Sequence, residues 1–526
     1  MTANPSSANS RVARAAGTVM VAFVFSNLVG LIRQILVAGA FGTSLEMEAF
    51  TAANRVSETI FALVAGGALA SSFIPTFTGL LTLEKRAQAW QLASAISNLA
   101  LIVLTALSLL ATFFAPQIVR YLLAPGFASD PAKEALTISL LRLMLPSAVI
   151  FGISGLVMGM LNAHQVFFIP ALTPAMYPLG IIFGVLVLAP HLGIYGLAWG
   201  VLIGSALHLG LQIPSLLRLK GQYTPTLGLK LAPVREVMRL MGPRLLGVAV
   251  VQLNFWVNTR LASFQPEGSV VAIQIGFALM LMPQAAIAQS VATAAMPTLA
   301  AQYARGEMAE LRSTLAASLR GMLLLAIPAT VGLILLRQPL VVLLFQRGEF
   351  TSRSTELVSW ALLWYAAGLI GHCVVEILAR AFYALHDTRT PVAIGVATMS
   401  LNVLFSIAFS NLFTRLDWAP HGGLALANSL ATALEMIGLL VFMRRRLGGL
   451  EGKKIIQGSL QAVAAALVMG LGLAAWLIFT TGRPAWMAVA GGLLTGAVLY
   501  GVSVLGLGIP EARSLVRTLK RRLNFS

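Results

Sequence analysis

Fourteen long apolar stretches, several of them interrupted by ionised side chains, set the terms on which this chain can fold. They lie near 15–41, 49–81, 90–115, 136–162, 168–189, 193–217, 240–263, 269–300, 313–336, 355–385, 391–413, 422–443, 456–480 and 485–508. Each is long enough to cross a hydrocarbon core of ~30 Å as a helix. In lipid the backbone polar groups have to be satisfied within the segment, which a helix does. Mean hydropathy is +0.86, and only 10% of residues are charged, against ~25% in soluble domains. The sequence therefore predicts an all-α polytopic membrane protein with fourteen transmembrane helices.

The charges inside two of these stretches are the informative exceptions. The first span holds Ser26, Asn27, Gly30, Arg33 and Gln34, and positions 26, 30 and 33 share one helical face. The second carries Glu48, Asn54, Arg55 and Glu58, with Glu48, Arg55 and Glu58 on one side. A charge near mid-bilayer costs at least ~2.5–3.5 kcal/mol on insertion scales, so Arg33, Glu48, Arg55 and Glu58 need partners or water. The expected solution is a polar cavity within a helix bundle, which in a membrane protein means a transport route.

Basic residues set the orientation. Outside the spans they divide 24 to 7 between the two sides, which places both termini in the cytoplasm. The other five, Arg33, Arg55, Arg142, Arg260 and Arg380, fall inside spans. Because the net charge of +18 sits in loops between spans, it reads as topology and not as a nucleic-acid surface. The basic amphipathic segment 511–522 reads as attraction to anionic lipid. The polar N-terminal tail, with Arg11 and Arg14, leads straight into a full-length span, unlike a cleaved signal peptide. The single cysteine, Cys373, lies in an apolar helix, which excludes disulfides and cysteine-based metal sites.

An internal repeat organises the spans. Pro75 in a Ser-Phe-Ile-Pro-Thr-Phe run answers Pro297 in Ala-Ala-Met-Pro-Thr-Leu, 222 residues later. Pro116 and Pro339 are 223 apart, Phe127 and Phe350 again 223, and Pro170 and Pro391 are 221 apart. With six spans in each copy the repeats are parallel, and a substrate site is expected between them. The expected division is an N-terminal lobe over 1–217, a cytoplasmic connector over 218–239, a C-terminal lobe over 240–446, and two further helices with a basic tail over 447–526.

The second copy has its own polar stripe. His372, Glu376 and Arg380 step by four along the tenth span, and Glu376 can pair with Arg380. That pair fits a self-neutralising structural element nearly as well as a substrate contact. His372 alone fits a hydrogen-bonded core residue. Asn254, Asn258 and Arg260 mark the seventh span, and Asn428 and Glu435 the twelfth. Arg142 and Arg260 lie near span ends, where snorkelling to the interface would explain them. Asp387 reads as a cap or loop contact.

Enzyme signatures are missing. There is no GxxxxGK[ST] phosphate loop, no HExxH and no histidine group at metal spacing. The chain is expected to be no enzyme, with no cofactor and no metal. Charges of both signs in a cavity suit an amphiphilic or phosphate-bearing cargo, arginine in particular binding phosphate in a forked geometry.

At this point particular segments carry a resemblance. Phe-Ser-Asn-Leu-Val-Gly-Leu-Ile-Arg-Gln (25–34), Ala-Phe-Gly (40–42), Glu-Ala-Phe (48–50), Gly-Ala-Leu-Ala-Ser-Ser-Phe-Ile-Pro (67–75) and Leu-Phe-Gln-Arg-Gly-Glu-Phe-Thr (344–351) are its pieces. Ala-Phe-Tyr-Ala-Leu-His-Asp-Thr-Arg-Thr-Pro (381–391) is the most distinctive. Over essentially its whole length the chain resembles the MurJ (MviN) lipid II flippases of the multidrug/oligosaccharidyl-lipid/polysaccharide exporter superfamily. The resemblance implies movement of an undecaprenyl-pyrophosphate-linked sugar-peptide from the inner to the outer leaflet of a bacterial cytoplasmic membrane, for peptidoglycan synthesis. It also implies membrane lipids and cell-wall synthesis proteins as partners, a cationic cavity between the lobes, and a lipid-tail groove at the two added helices. Arg33 matches a cavity arginine of the family's first helix, and Glu48 an aspartate at the start of its second. Asn27, Phe61, Ala62, Gly66, Ala278 and Leu281 stand where charged residues are common in the family, leaving Arg55, Glu58, Glu376 and Arg380 to supply charge in their place. The candidate substrate-binding set is therefore Asn27, Arg33, Glu48, Arg55, Glu58, Arg260, Glu376 and Arg380. Two other readings stay open: an exporter of another lipid-linked oligosaccharide or small molecule, and a non-transporting scaffold of the wall-synthesis machinery.

Overall fold

The computed structural model describes residues 5–63 and 70–509. Gly66, Gly67 and the basic segment 511–522, all singled out in the sequence, lie outside these residues. Among the described residues every regular element is a helix. Eleven helices are long and apolar enough to cross a membrane, or thirteen if each of two bent pairs counts as one span. The remaining expected span, 49–81, is represented by Leu45–Phe61 and Ala70–Thr82, with residues outside the description between them. The exact count of fourteen is thus not established.

Two compact units divide the chain. One comprises Met1–Glu267 with Arg347–Phe350, the other Gly268–Gln346 with Thr351–Ser526. The helix Ala232–Ser263 contacts elements of the first unit, among them Ala70–Thr82 and Arg86–Phe113.

In the first unit local chemistry fixes where helices start. Ser44 accepts a hydrogen bond from the Met47 amide and so caps Leu45–Phe61. Asp130 does the same for Pro131–Met144, accepting from the amides of Ala132 and Lys133, with Pro131 in the first helical turn. Gly42 links the first two helices at φ +56°, where an added Cβ would stand 2.3 Å from the Glu349 carbonyl oxygen. The helices on either side of Gly193 meet through glycines: a Cβ on Gly180 would fall 2.2 Å from the Gly204 Cα. Small residues let spans approach in this way where lipid supplies no hydrophobic drive between helices. The basic connector is extended from 221 and is strapped along the 86–113 helix. There Asn98 donates to the Thr226 carbonyl at 2.9 Å and the Thr224 amide donates to Ser94 Oγ at 3.1 Å.

In the second unit the expected span 355–385 is broken, with Ser352–Ala367 and Leu369–Ala384 bent by 48°. The cause is local. The Gly368 amide turns back to the Tyr365 carbonyl, which releases the Trp364 carbonyl from its helical partner, and Ser429 Oγ of the neighbouring helix donates to it at 2.6 Å. A Cβ on Gly368 would lie 2.5 Å from that hydroxyl, so glycine permits the approach. The last two helices, Gly452–Phe479 and Ala485–Gly506, pack on Met308–Phe345 through buried Leu324, Ile327, Ala462, Ala465, Ala466 and Val504.

Candidate functional site

The polar face of the 45–61 helix is built by its own periodicity. Asn54 Nδ2 donates to Glu58 Oε1 at 2.8 Å, and Arg55 Nη1 donates to Glu58 Oε2 at 3.0 Å. The Arg55 and Glu58 side chains are 16% and 42% exposed, so the pair is neither sealed nor fully solvated. The Arg55 guanidinium lies 5.0 Å from the Phe255 ring centroid, an attraction between cation and ring face, and its buried Nε has no hydrogen-bond partner among the described residues. Tyr177, on the 176–183 helix, lies near enough to this face for the charges of both Glu58 and Arg33 to act on its hydroxyl. The first two spans thus bring Arg33 and Glu58 into one electrostatic neighbourhood. Among the described residues no carboxylate pairs with Arg33. Trp256 Nε1 donates to Thr59 Oγ1 at 2.8 Å, and Thr59 in turn donates to the Arg55 carbonyl at 2.7 Å. The 232–263 helix therefore steadies the cluster from outside.

Two candidates of the first unit stand apart from this cluster. Glu48 is 2% exposed and is met by Lys133 Nζ at 2.5 Å, with the Phe127 ring centroid 4.0 Å beneath the ammonium. Its charge is already neutralised inside the protein. Arg260 donates to the Tyr121 backbone carbonyl, so it ties two segments together near a helix end. Asn27 lies exposed on the first helix.

In the second unit Arg380 grips Glu376 Oε1 through Nε at 3.0 Å and Nη2 at 2.7 Å, while its Nη1 donates to Thr293 Oγ1 at 2.6 Å. The third guanidinium contact shows that the pair is not closed on itself. Glu435 lies on the neighbouring 421–447 helix, its carboxylate facing Gly395, and acts electrostatically on Tyr383 together with Glu376 and Arg380. His372 is hydrogen-bonded to Asn428 at 3.1 Å and to Thr432 at 3.3 Å, as a core histidine is. Asp387 accepts from the Thr390 amide and hydroxyl and from Arg446. Its carboxyl is held below the usual range: partial burial by itself would raise it, and the Thr390 bonds, the Arg446 charge and the Arg389 amide outweigh that.

An apolar groove of about 460 Å³ opens in the same unit, lined by Pro283, Pro328, Leu336, Leu473, Gly492 and Tyr500 among others. It involves both of the last two helices. Lys133, Tyr177, Trp256 and Thr293 were missed from the sequence. Each meets its partner across a long stretch of chain, and no periodicity signals that.

A helical membrane protein with charged clusters inside its spans and an apolar groove has the equipment of a carrier for amphiphiles. Its fold recurs in solved structures. It matches an inward-facing multidrug resistance MATE family transporter of the MOP superfamily with a TM-score of 0.68 at 16% identity, covering 81% of this chain and 96% of that one. The family model for lipid II flippase MurJ matches residues 37–490. The chain is 30% identical over 471 residues to the lipid II flippase MurJ of Burkholderia cenocepacia, covering 88% of this chain and 89% of that protein. It is 29% identical over 528 residues to the probable lipid II flippase MurJ of Rhizobium meliloti, covering 97% and 96%. A solved lipid II flippase MurJ in an inward closed conformation matches with a TM-score of 0.81 at 26% identity, covering 95% of this chain and 99% of that chain. This chain belongs to the lipid II flippase MurJ family.

Proposed function

We propose that this protein translocates lipid II, the lipid-linked peptidoglycan precursor, from the inner to the outer leaflet by alternating access. Family membership supports the substrate, and one observation of the molecule carries the mechanism. In the first two helices, Arg55 and Glu58 are kept partly open, and Arg33 pairs with no carboxylate among the described residues. Lipid cannot hold such charges, whereas a diphosphate head group and water can.

In this reading Arg33 and Arg55 attract the diphosphate, Glu58 and Asn54 orient Arg55, and Asn27 contributes a further polar contact on the first helix. Glu376 and Arg380 serve the sugar-peptide portion from the second lobe, with Thr293 holding Arg380 in place. Glu48 and Arg260 act by fixing helix positions. The two lobes, 1–217 and 240–446, would be the moving parts, in the cytoplasmic membrane of a bacterium with both chain ends in the cytoplasm. Cell-wall synthesis proteins are the natural partners on the far side.

Expression in bacteria depleted of their own flippase tests the reading: the wild-type chain restores growth, and R33A with R55A does not. If the wild type is made, reaches the membrane and still fails to rescue, lipid II is the wrong cargo. A flipping assay with lipid II beside another lipid-linked oligosaccharide then identifies the alternative.

A further inference from the structure

Three of the four helices that line the apolar groove also carry a second hollow farther along, richer in polar and basic groups. Its volume is about 480 Å³, and Arg337, Gln338, Thr480, Thr481 and Arg483 are among its lining residues. On the 452–479 helix the groove uses Met469 and Leu473, and the hollow follows at Leu477 and at Thr480, the residue that caps the helix. Steps of four and then three residues keep one face, and the seven residues from Leu473 to Thr480 rise ~10 Å. On the final helix the groove uses Val489 and Gly492, and the hollow Ala485 and Ala488.

The charge here is one-sided. No acidic residue lines the hollow, and among the described residues neither Arg337 nor Arg483 takes part in an ion pair. Arg337 is partly buried and spends one N–H on the Ile334 carbonyl at 2.6 Å. Arg483 rests over Phe479, its guanidinium 4.7 Å from the ring centroid, which leaves its N–H groups directed at nothing anionic. Snorkelling explains one arginine at a membrane surface. Two on one hollow, beside an apolar groove, call for an anion that is itself attached to an apolar chain.

We infer that this hollow is a phosphate-binding subsite for a membrane lipid whose tail occupies the groove: a polyprenyl phosphate or diphosphate, held by the forked donors of Arg337 and Arg483. By the distribution of basic loops, the site sits at the outer end of the helices, where a translocated head group would emerge. The identity of the lipid rests on the flippase reading; the existence of an anionic-lipid site does not.

The test is equilibrium binding of a radiolabelled polyprenyl diphosphate to the full-length protein in phosphatidylcholine nanodiscs. It is run in an R33A/R55A background so that the mid-span cluster does not contribute. R337Q/R483Q should weaken binding about tenfold, the loss of two charge-assisted contacts, while R337K/R483K recovers part of it. The uncharged polyprenol of equal length should bind both forms alike, and inorganic pyrophosphate should not compete at concentrations where the lipid saturates. Ala497 also lines the groove, and filling it by A497W should weaken diphosphate and polyprenol binding together. Equal diphosphate binding by the R337Q/R483Q and parent forms, or competition by pyrophosphate as effective as the lipid's own, overturns the subsite. Because no translocation is measured, intact binding without flipping would count against the flippase reading and leave this site standing.

Discussion

Ten residues apart on one helix, Glu48 and Glu58 are the same functional group put to opposite ends. Glu48 is enclosed, 2% exposed, with Lys133 at 2.5 Å. Glu58 is 42% exposed and shares its charge with Arg55, while Asn54 holds its other oxygen. The first arrangement has no unmet demand and can only stabilise; the second keeps charge available to something that arrives. A carboxylate within an apolar helix is therefore no sign of a site until its partner is known. Its exposure and the saturation of its hydrogen bonds decide between scaffold and site.

Breaking the enclosed pair should have the largest effect. Lys133→Met leaves Glu48 buried and uncompensated, and unfolding in detergent should show a loss of about 3–5 kcal/mol. Replacing both partners, as E48M/K133M, should recover most of that loss, and a double variant as damaged as the single one would show that the pair is not what holds these helices. The open cluster should behave inversely. Arg55→Ala should reduce lipid II flipping at least about tenfold, ~1.4 kcal/mol, with a smaller change in unfolding than K133M. If its stability falls as far as that of K133M, the contrast between the two carboxylates disappears.

A smaller effect would sharpen the comparison in the second unit. Thr293→Val removes the third contact of Arg380 but keeps Glu376, and should slow flipping a few-fold with stability changed by about 1 kcal/mol. Smallest of all is the pair of Asp387 and Arg446, open to solvent on the arginine side. The Asp387 carboxyl is depressed in the folded protein, so its contribution is complete above the ordinary carboxylate range and is lost as pH falls through the lower, folded value. Screened by water, it should be ~0.2–1 kcal/mol. Thermal unfolding of D387N should fall slightly below wild type at pH 7 and converge with it once the pH has dropped below the depressed, folded value of the Asp387 carboxyl. A gap that persists in acid would mean that the Thr390 cap, and not the charge, is what D387N removes.

Much of the architecture was legible from the order of residues. Apolar length dictates helices, because lipid offers backbone groups no other partner, and a period of 3.6 dictates which side chains share a face. Arg55 with Glu58 and Glu376 with Arg380 could be paired on that ground alone. The bend at Gly368 could not be read, since it depends on Ser429 arriving to satisfy the Trp364 carbonyl. Nor could the fate of Glu48. Its partner lies 85 residues away, and in the sequence Lys133 counts only as one more basic residue between spans.

What the chain by itself determined was a set of membrane helices with defined polar faces, because those follow from spacing within one segment. What only the tertiary structure decided was which of those polar groups remain available and which are spent on each other. That depends on contacts between helices distant in sequence, where the approach of one lysine or one hydroxyl converts a costly charge or a free carbonyl into a satisfied one.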